Sequence, residues 1–192
     1  MSFIIGLMGY SNTGKGTYCS FVREELGIPS LNTGDIVRDE VRKKGLEVTP
    51  QNIVKISNEM RAETQGSFMD FARLRLENLL KDNEIIIVDS LRELSDKKYL
   101  CNYASTFKAL GIYASKAVRY QRICLRKRDG DPLTMNGFLE LEEREKSLGT
   151  ESLLRNTDLI LFNNGTVNEF YKDSILKTKK LIQHLNVYPT PE

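Results

Sequence analysis

Phe3-Ile-Ile-Gly-Leu-Met8 runs without interruption into Gly9-Tyr-Ser-Asn-Thr-Gly14-Lys15-Gly16-Thr17. The first stretch is apolar, unbroken and too short for an amphipathic helix, so it reads as a buried strand. The second reads as a glycine-rich loop opening a helix, in which Tyr18, Phe21, Val22 and Leu26 fall at helical spacing. Gly9, Gly14 and Gly16 permit a tight turn whose backbone N–H groups, those of Asn12 and Thr13 included, point inward onto phosphate oxygens. The helix N-terminus adds partial positive charge, and Lys15 reaches the β- and γ-phosphates of a nucleotide. A glycine turn serving geometry alone is the alternative, but it gives no reason for the lysine.

Outward from this unit, Glu84-Ile-Ile-Ile-Val-Asp89, Phe107 to Tyr113 and Leu159 to Phe162 are further strands, and a very short one precedes Asn32. Helical patterns lie between them, including Phe68, Phe71, Ala72 and Leu79. Thr49-Pro50 is a helix start, with Thr as cap and Pro in the first turn. Thr166-Val-Asn-Glu169 is a capping box for a last helix whose apolar face carries Phe170, Ile175, Ile182 and Leu185. Alternating strands and helices predict an α/β fold, a mainly parallel sheet with helices on both faces. In such sheets ligands bind beyond the carboxyl ends of the strands, which directs attention to the residues that follow each strand.

The chain has 192 residues, enough for one domain over residues 1–187 with a tail over 188–192. Its 28 Lys and Arg against 26 Asp and Glu leave a formal net charge of +2, too small and too dispersed for a nucleic-acid binder. Cys19, Cys101 and Cys124 are widely spaced and far from His184, which argues against a zinc site, a disulfide framework or a Cys-His pair and suits buried thiols in a reducing compartment. No basic stretch precedes Phe3, and no segment reaches the roughly 20 apolar residues of a membrane span, so the expected location is cytoplasmic without membrane partners.

Thr33-Gly34-Asp35-Ile36-Val37-Arg38 follows the short second strand. Gly34 permits close backbone approach, Thr33 offers a hydroxyl, and Arg38 stands one helical turn from Asp35 with a planar fork suited to phosphate. Asp35 read alone could instead cap the helix running through Val41. Asp89-Ser90-Leu91-Arg92 closes the third strand, where Asp89 can orient Mg²⁺ or its water and Arg92 can face the transferring or acceptor phosphate. Arg119, Arg122 and Arg126 share one helical face, and Arg128 precedes Asp129-Gly-Asp-Pro132 and a helix over 137–148. Such a basic face can close over a triphosphate. It can equally be a solvated face paired with Glu140, Glu142, Glu143 and Glu145. Asn163-Asn164-Gly165 ends the fifth strand as an Asn-Gly turn.

The Gly-Lys-Gly-Thr ending of the loop resembles the adenylate kinase family, as does Thr-Gly-Asp-x-x-Arg, the segment with which those enzymes hold AMP. Gly16 stands where a magnesium-binding hydroxyl is usual, so Mg²⁺ would be held through water and nucleotide, with Thr17 assisting at the phosphates. The family's loop proline is replaced by Ser11-Asn12, and its Asp-Gly-x-Pro-Arg is shortened to Asp89-Ser-Leu-Arg92. The shorter form is more similar to an archaeal family of adenylate kinase-related proteins, and more distantly to dephospho-CoA kinases. From that resemblance Arg61, Gly66 and Arg73 would lie in an acceptor subdomain, although Arg61 and Arg73 also suit exposed helix faces. It further implies Arg144 in the lid helix, Asn163 and Asn164 against the adenine, and a P-loop NTP hydrolase fold with strand order 2-3-1-4-5. The acceptor subdomain would span about 34–81 and a short helical lid about 128–149.

The reading that joins these features is phosphoryl transfer from ATP, with Mg²⁺, to a small phosphorylated acceptor such as AMP or a deoxynucleoside monophosphate. Lys15, Asp89, Arg92, Arg126 and Arg144 would carry the transfer. A kinase for a hydroxyl acceptor, such as dephospho-CoA or a modified nucleoside, and a nucleotide-binding regulatory protein with weak ATPase activity remain open at this stage.

Overall fold

The computed structural model describes residues 2–64, 67–126 and 128–183; Gly66, His184, Leu185 and the tail over 188–192 lie outside them. Five strands, β1 (Phe3–Met8), β2 (Ser30–Asn32), β3 (Ile85–Leu91), β4 (Thr106–Tyr113) and β5 (Leu159–Phe162), pair in parallel in the order β2-β3-β1-β4-β5. This is the expected sheet. Helices α1 (Lys15–Leu26), α2 (Thr33–Lys43), α3 (Pro50–Glu63), α4 (Met69–Asp82), α5 (Leu94–Tyr103), α6 (Lys116–Arg126), α7 (Met135–Ser147), α8 (Thr150–Arg155) and α9 (Val167–Ile182) connect and cover it.

Every residue of β1 is buried, and its side chains alternate between two cores. Ile4 and Met8 join Val37, Val41, Ile56, Met60, Leu76 and Leu100 on one face. Phe3, Ile5 and Leu7 join Tyr18, Val22, Phe170 and Ile175 on the other, where the Tyr18 hydroxyl meets Thr178 Oγ1 at 2.7 Å. Thr49 caps α3 and the Thr166–Glu169 capping box opens α9, as the sequence predicts. Among the described residues, no helix is long and apolar enough to cross a membrane.

Four expectations need correction. The third strand runs two residues past Asp89, through a bulge at Ser90: Leu7 pairs with Asp89, but Met8 pairs with Leu91. The cap of α2 is Asn32, whose Oδ1 accepts from Gly34 N at 2.8 Å and Asp35 N at 3.3 Å, so Asp35 does not cap and is free to pair with arginines. Helices α5 and α8 had no counterpart in the sequence reading. Cys19 is buried, but Cys101 and Cys124 are exposed.

Candidate functional site

The loop between β1 and α1 is shaped by two of its glycines, Gly9 and Gly14, whereas a Cβ on Gly16 would meet open space. Gly9 has φ of 147° and Gly14 φ of 102°; a Cβ on Gly9 would strike the Ile112 carbonyl, and one on Gly14 the Asn163 amide. The first intrahelical bond of α1 runs from Tyr18 N to Gly14 O. The amides of Lys15, Gly16 and Thr17 therefore precede the helical ladder and are available at its positive end. Asn12 adopts a left-handed φ of 65°, and both polar atoms of its buried amide lack a partner among the described residues. Lys15 folds back to donate to the carbonyls of Gly9 and Tyr10, each at 2.9 Å. Burial first, then the nearby Arg92, pushes its pKa down to about 8.

Asn12, Gly14, Lys15, Gly16 and Thr17 line a cavity of about 580 Å³ together with Ser11, Asn32, Gly34, Arg38, Asp89, Arg92, Arg122, Arg126 and Arg128. Asp89 is buried and accepts from Asn32 Nδ2 at 2.7 Å and Ser90 Oγ at 3.1 Å; burial pushes its carboxyl up, opposed by Lys15. Ser90 takes φ of 71° at the bulge, the backbone region that glycine favours, at a strain on the order of 1 kcal/mol. Ser90 thus takes, at the position of the family's glycine, a backbone conformation that glycine favours. The same bulge presents the Ser90 carbonyl to the Thr33 hydroxyl at 2.9 Å, so Thr33 fixes α2 against β3.

A second, smaller chamber of about 120 Å³ adjoins the first, and the two share Ser11, Gly34, Arg38, Arg92 and Arg126. Five arginines line it, Arg38, Arg61, Arg92, Arg126 and Arg144, against three carboxylates, Asp96, Asp131 and Glu145. Arg61 donates to Glu93 at 2.5 Å, bonds Ser57 and lies 5.2 Å from the Phe68 ring centroid. Arg38 pairs with Asp35 at 3.4 Å, and its Nε is buried without a partner among the described residues. Burial lowers the pKa of Arg144, helped by Arg61 and Arg92 nearby.

Glu145 is the site residue the sequence reading missed. It is 1% exposed, and its carboxylate accepts from Ser11 N at 2.8 Å, from Ser11 Oγ at 2.6 Å and from Arg92. Burial would push its pKa up, but Arg92, Lys15 and the Ser11 donors outweigh it and hold the carboxyl below its usual range. Helix α7 is thereby pinned to the phosphate loop by a buried anion. The signal was present: Phe138, Leu141, Glu142 and Glu145 recur at i, i+3, i+4 and i+7, one face of α7.

The remaining expected residues are held largely by partners within the protein, some of them at the cavity wall and some away from it. Arg119 is buried in a bidentate pair with Glu142, donates to Ala114 O at 3.0 Å and lies 4.7 Å from the Tyr10 ring centroid; it joins α6 to α7. Only Arg119 of the basic face is paired with glutamate, as the alternative reading held for the whole face, and that pair lies in the interior; Arg122 donates instead to Asn163 and to loop carbonyls. Arg126 pairs with Asp131 at 2.5 Å, and Arg128 with Asp35. The side chains of Asn163 and Asn164 are engaged in the scaffold instead of facing a base. Asn163 Nδ2 donates to Thr13 O at 2.8 Å and its Oδ1 accepts from Arg122 at 3.0 Å, while Asn164 Oδ1 accepts from Ser115 N at 2.7 Å. Arg73 lines neither cavity: its side chain is 66% exposed and stands 4.0 Å from Glu77.

A family model described as an AAA domain matches residues 8–133. A UPF0200 protein of Methanoregula boonei is 31% identical over 87% of this chain and 91% of its own length. The chain belongs to both families. A UPF0200/UPF0201 protein of Archaeoglobus fulgidus is 29% identical over 97% of this chain, which spans 60% of that longer protein. Among solved structures, shikimate kinase from Acinetobacter baumannii in complex with shikimate superposes with a TM-score of 0.57 at 15% identity, covering 95% of this chain and 94% of that one. A gluconokinase from Sinorhizobium meliloti superposes at 0.62 and 15% identity, covering 94% of each. The UPF0200 chain thus has a P-loop kinase-like, nucleotide-binding fold.

Proposed function

We propose that this UPF0200 protein transfers the γ-phosphoryl group of ATP to a small phosphorylated acceptor, a nucleoside monophosphate such as AMP or a deoxynucleoside monophosphate. The observation that carries the reading is the second chamber, where five arginines face three carboxylates and which opens to the phosphate loop through Ser11 and Arg92. An excess of guanidinium over carboxylate in a confined space suits a dianion, which accepts paired hydrogen bonds from each fork.

The phosphate loop would hold the triphosphate through its backbone amides, with Asn12 and Lys15 supplying side-chain donors. Asp89 would hold Mg²⁺, a single carboxylate beside Lys15 and Thr17 suiting an ion otherwise bound by phosphates and water; bound there, the ion neutralises charge on the β- and γ-oxygens. Arg92 stands where the two cavities meet and would stabilise charge on the group in transit, while Arg126 and Arg144 approach from the lid side. The segment over 34–81 serves as acceptor subdomain, and that over 128–149 closes the site and excludes water. A hydroxyl acceptor is the second reading. It is favoured by the likeness to shikimate kinase and gluconokinase, and Glu145 is a buried carboxylate lining the second chamber.

Purified protein given ATP, Mg²⁺ and a panel of nucleoside monophosphates should form ADP and the matching diphosphate. Arg38→Ala should raise the KM of the monophosphate about tenfold and that of ATP about twofold or less, the loss expected for a charged hydrogen-bond donor. Turnover only on unphosphorylated hydroxyl acceptors would transfer the assignment to the second reading. Equal effects of Arg38→Ala on both substrates would place this arginine at the transfer centre.

A further inference from the structure

Among the described residues, Ser11 is the one hydroxyl that lines both the phosphate-loop cavity and the arginine chamber. Thr17 and Ser90 line only the first, and Thr33 and Ser57 only the second. Ser11 is fixed by two bonds to a single buried carboxylate. Its N donates to Glu145 Oε2 at 2.8 Å, and its Oγ to Glu145 Oε1 at 2.6 Å. The hydroxyl proton is thus committed to a carboxylate, and the lone pairs of Oγ stay available for bonding. Arg38, Arg92 and Arg126 border the same two spaces, so a dianion formed on Ser11 would lie among three guanidiniums. Where donor and acceptor spaces meet, the chain itself carries a hydroxyl, a proton acceptor and the countercharge for a phosphate.

We propose that Ser11 is a site of self-phosphorylation: with ATP bound and no acceptor present, its hydroxyl receives the γ-phosphoryl group. The proposal rests on the reading of the loop as an ATP site, and adds an acceptor that belongs to the protein. Ser11 Oγ bonds to the γ-phosphorus while the bond from that phosphorus to the β–γ bridging oxygen breaks. ADP leaves with the electron pair of the broken bond, and the Ser11 proton passes to Glu145. A strong base is not required, because the serine oxygen grows acidic only as its bond to phosphorus forms. The product is a phosphoserine bordered by Arg38, Arg92 and Arg126, in the space that an acceptor phosphate needs. Self-phosphorylation therefore closes the chamber to other acceptors, and an acceptor already bound there protects Ser11.

The test incubates the full chain with Mg²⁺ and ATP labelled at the γ-phosphorus, without acceptor, and follows the label that stays with the denatured protein. Label should accumulate toward one phosphoryl group per chain, at a rate per chain that does not change with protein concentration. Fragmentation mass spectrometry of the tryptic peptide over 1–15 should place it on Ser11 and not on Tyr10 or Thr13. Ser11→Ala should lower labelling at least about tenfold, whereas Ser11→Thr, which keeps a hydroxyl, should retain it. Label on another residue, labelling that persists in Ser11→Ala, or a rate that rises with protein concentration would overturn the proposal. So would an unlabelled chain that still phosphorylates a nucleoside monophosphate, and that outcome would leave the phosphoryl-transfer reading standing. A chain that neither takes up label nor forms ADP with any acceptor would bring down both. Peptide mapping of the wild type needs no variant and decides the matter even where Ser11→Ala does not fold.

Discussion

Asn12 and Arg92 stand on either side of Ser11, and their polar groups are satisfied in opposite ways. On the donor side the loop is made of backbone, and its side-chain donors are in reserve: the Asn12 amide has no partner among the described residues, and Lys15 holds only the carbonyls of its own loop. On the proposed acceptor side most cations already have an anion, Arg144 alone of the five meeting an amide, that of Asn58. Arg92 is held by Glu145, Arg61 by Glu93, Arg126 by Asp131, and Arg128 by Asp35. On the donor side a phosphate therefore has only to draw Lys15 from the loop's own carbonyls, whereas an acceptor phosphate must compete with carboxylates built into the chain. Internal pairing also keeps a cluster of arginines compact without a ligand, where unpaired guanidiniums would repel one another. The largest expected effects should come from breaking the donor side, and subtler ones from altering the competition.

Lys15→Ala should lower turnover by about 10²–10³-fold, the usual cost of removing a donor aimed at developing charge. The fold should persist, because glycines and backbone bonds shape the loop. Circular dichroism and a steady-state assay on the same preparation would check both points. Turnover within a few-fold of wild type would remove Lys15 from the transfer centre.

Glu145→Gln tests the competition itself. A glutamine cannot satisfy the Ser11 amide and Arg92 as a charged acceptor does, so the lid should be held less firmly and Arg92 released. The expected outcome is about tenfold tighter binding of a non-hydrolysable triphosphate, equivalent to ~1.4 kcal/mol, with faster amide exchange over 128–149 in the free protein. Weaker binding with unchanged exchange would instead make Glu145 a fixed part of the liganded site and strengthen the case for a proton acceptor there.

The donor side was legible in the sequence because its chemistry requires particular backbone angles, and glycine spacing records those angles directly. The strands followed from four apolar runs and a very short one before Asn32, and their order from the family pattern joined to them. The acceptor side was less legible because its function depends on pairing, and pairing is invisible along the chain. Nothing in Glu142-Glu143-Arg144-Glu145 by composition says that Glu142 clamps Arg119 while Glu145 reaches Ser11; only the helical face shared with Phe138 hints that both point inward. Asn32 was overlooked as a cap because Asp35, three residues on, offered the same chemistry at a more conspicuous place. Ser90 shows the converse: a missing glycine looked like a departure in structure, yet the serine adopts the left-handed backbone itself.

Protonation offers a gentler probe of the donor side. In the folded protein Lys15 titrates at about 8, against 10.5 for the unperturbed group. Between those values the unfolded chain holds more protons, so the free protein should gain stability as pH rises through that window. Bound triphosphate supplies countercharge and raises the Lys15 value, so binding near pH 8–9 should take up a fraction of a proton. Affinity should fall a few-fold from pH 8 to pH 9. Calorimetry in two buffers of different ionisation enthalpy reads the uptake directly. An affinity and enthalpy independent of pH and buffer would mean that Lys15 keeps its proton throughout.

The smallest effect is expected from Arg73, which the family resemblance joins with Arg61 although the structure separates them. Arg61 is tied to Glu93, Ser57 and the Phe68 ring and faces the acceptor chamber, so its loss removes a charge from the chamber and several contacts at once. Arg73 stands on the exposed side of α4, with Glu77 one turn away as its only ion-pair partner among the described residues. An exposed i,i+4 pair contributes about 0.3–0.5 kcal/mol, and solvent screens it further. Arg73→Ala should therefore change stability by about 0.5 kcal/mol or less and leave the acceptor KM within about twofold. Arg61→Ala should raise that KM about tenfold. Urea titration and acceptor kinetics on the two variants side by side give the contrast. A large KM effect at Arg73 would require α4 to swing toward the chamber when the acceptor arrives, since its present distance from both cavities leaves it no other route to the phosphate.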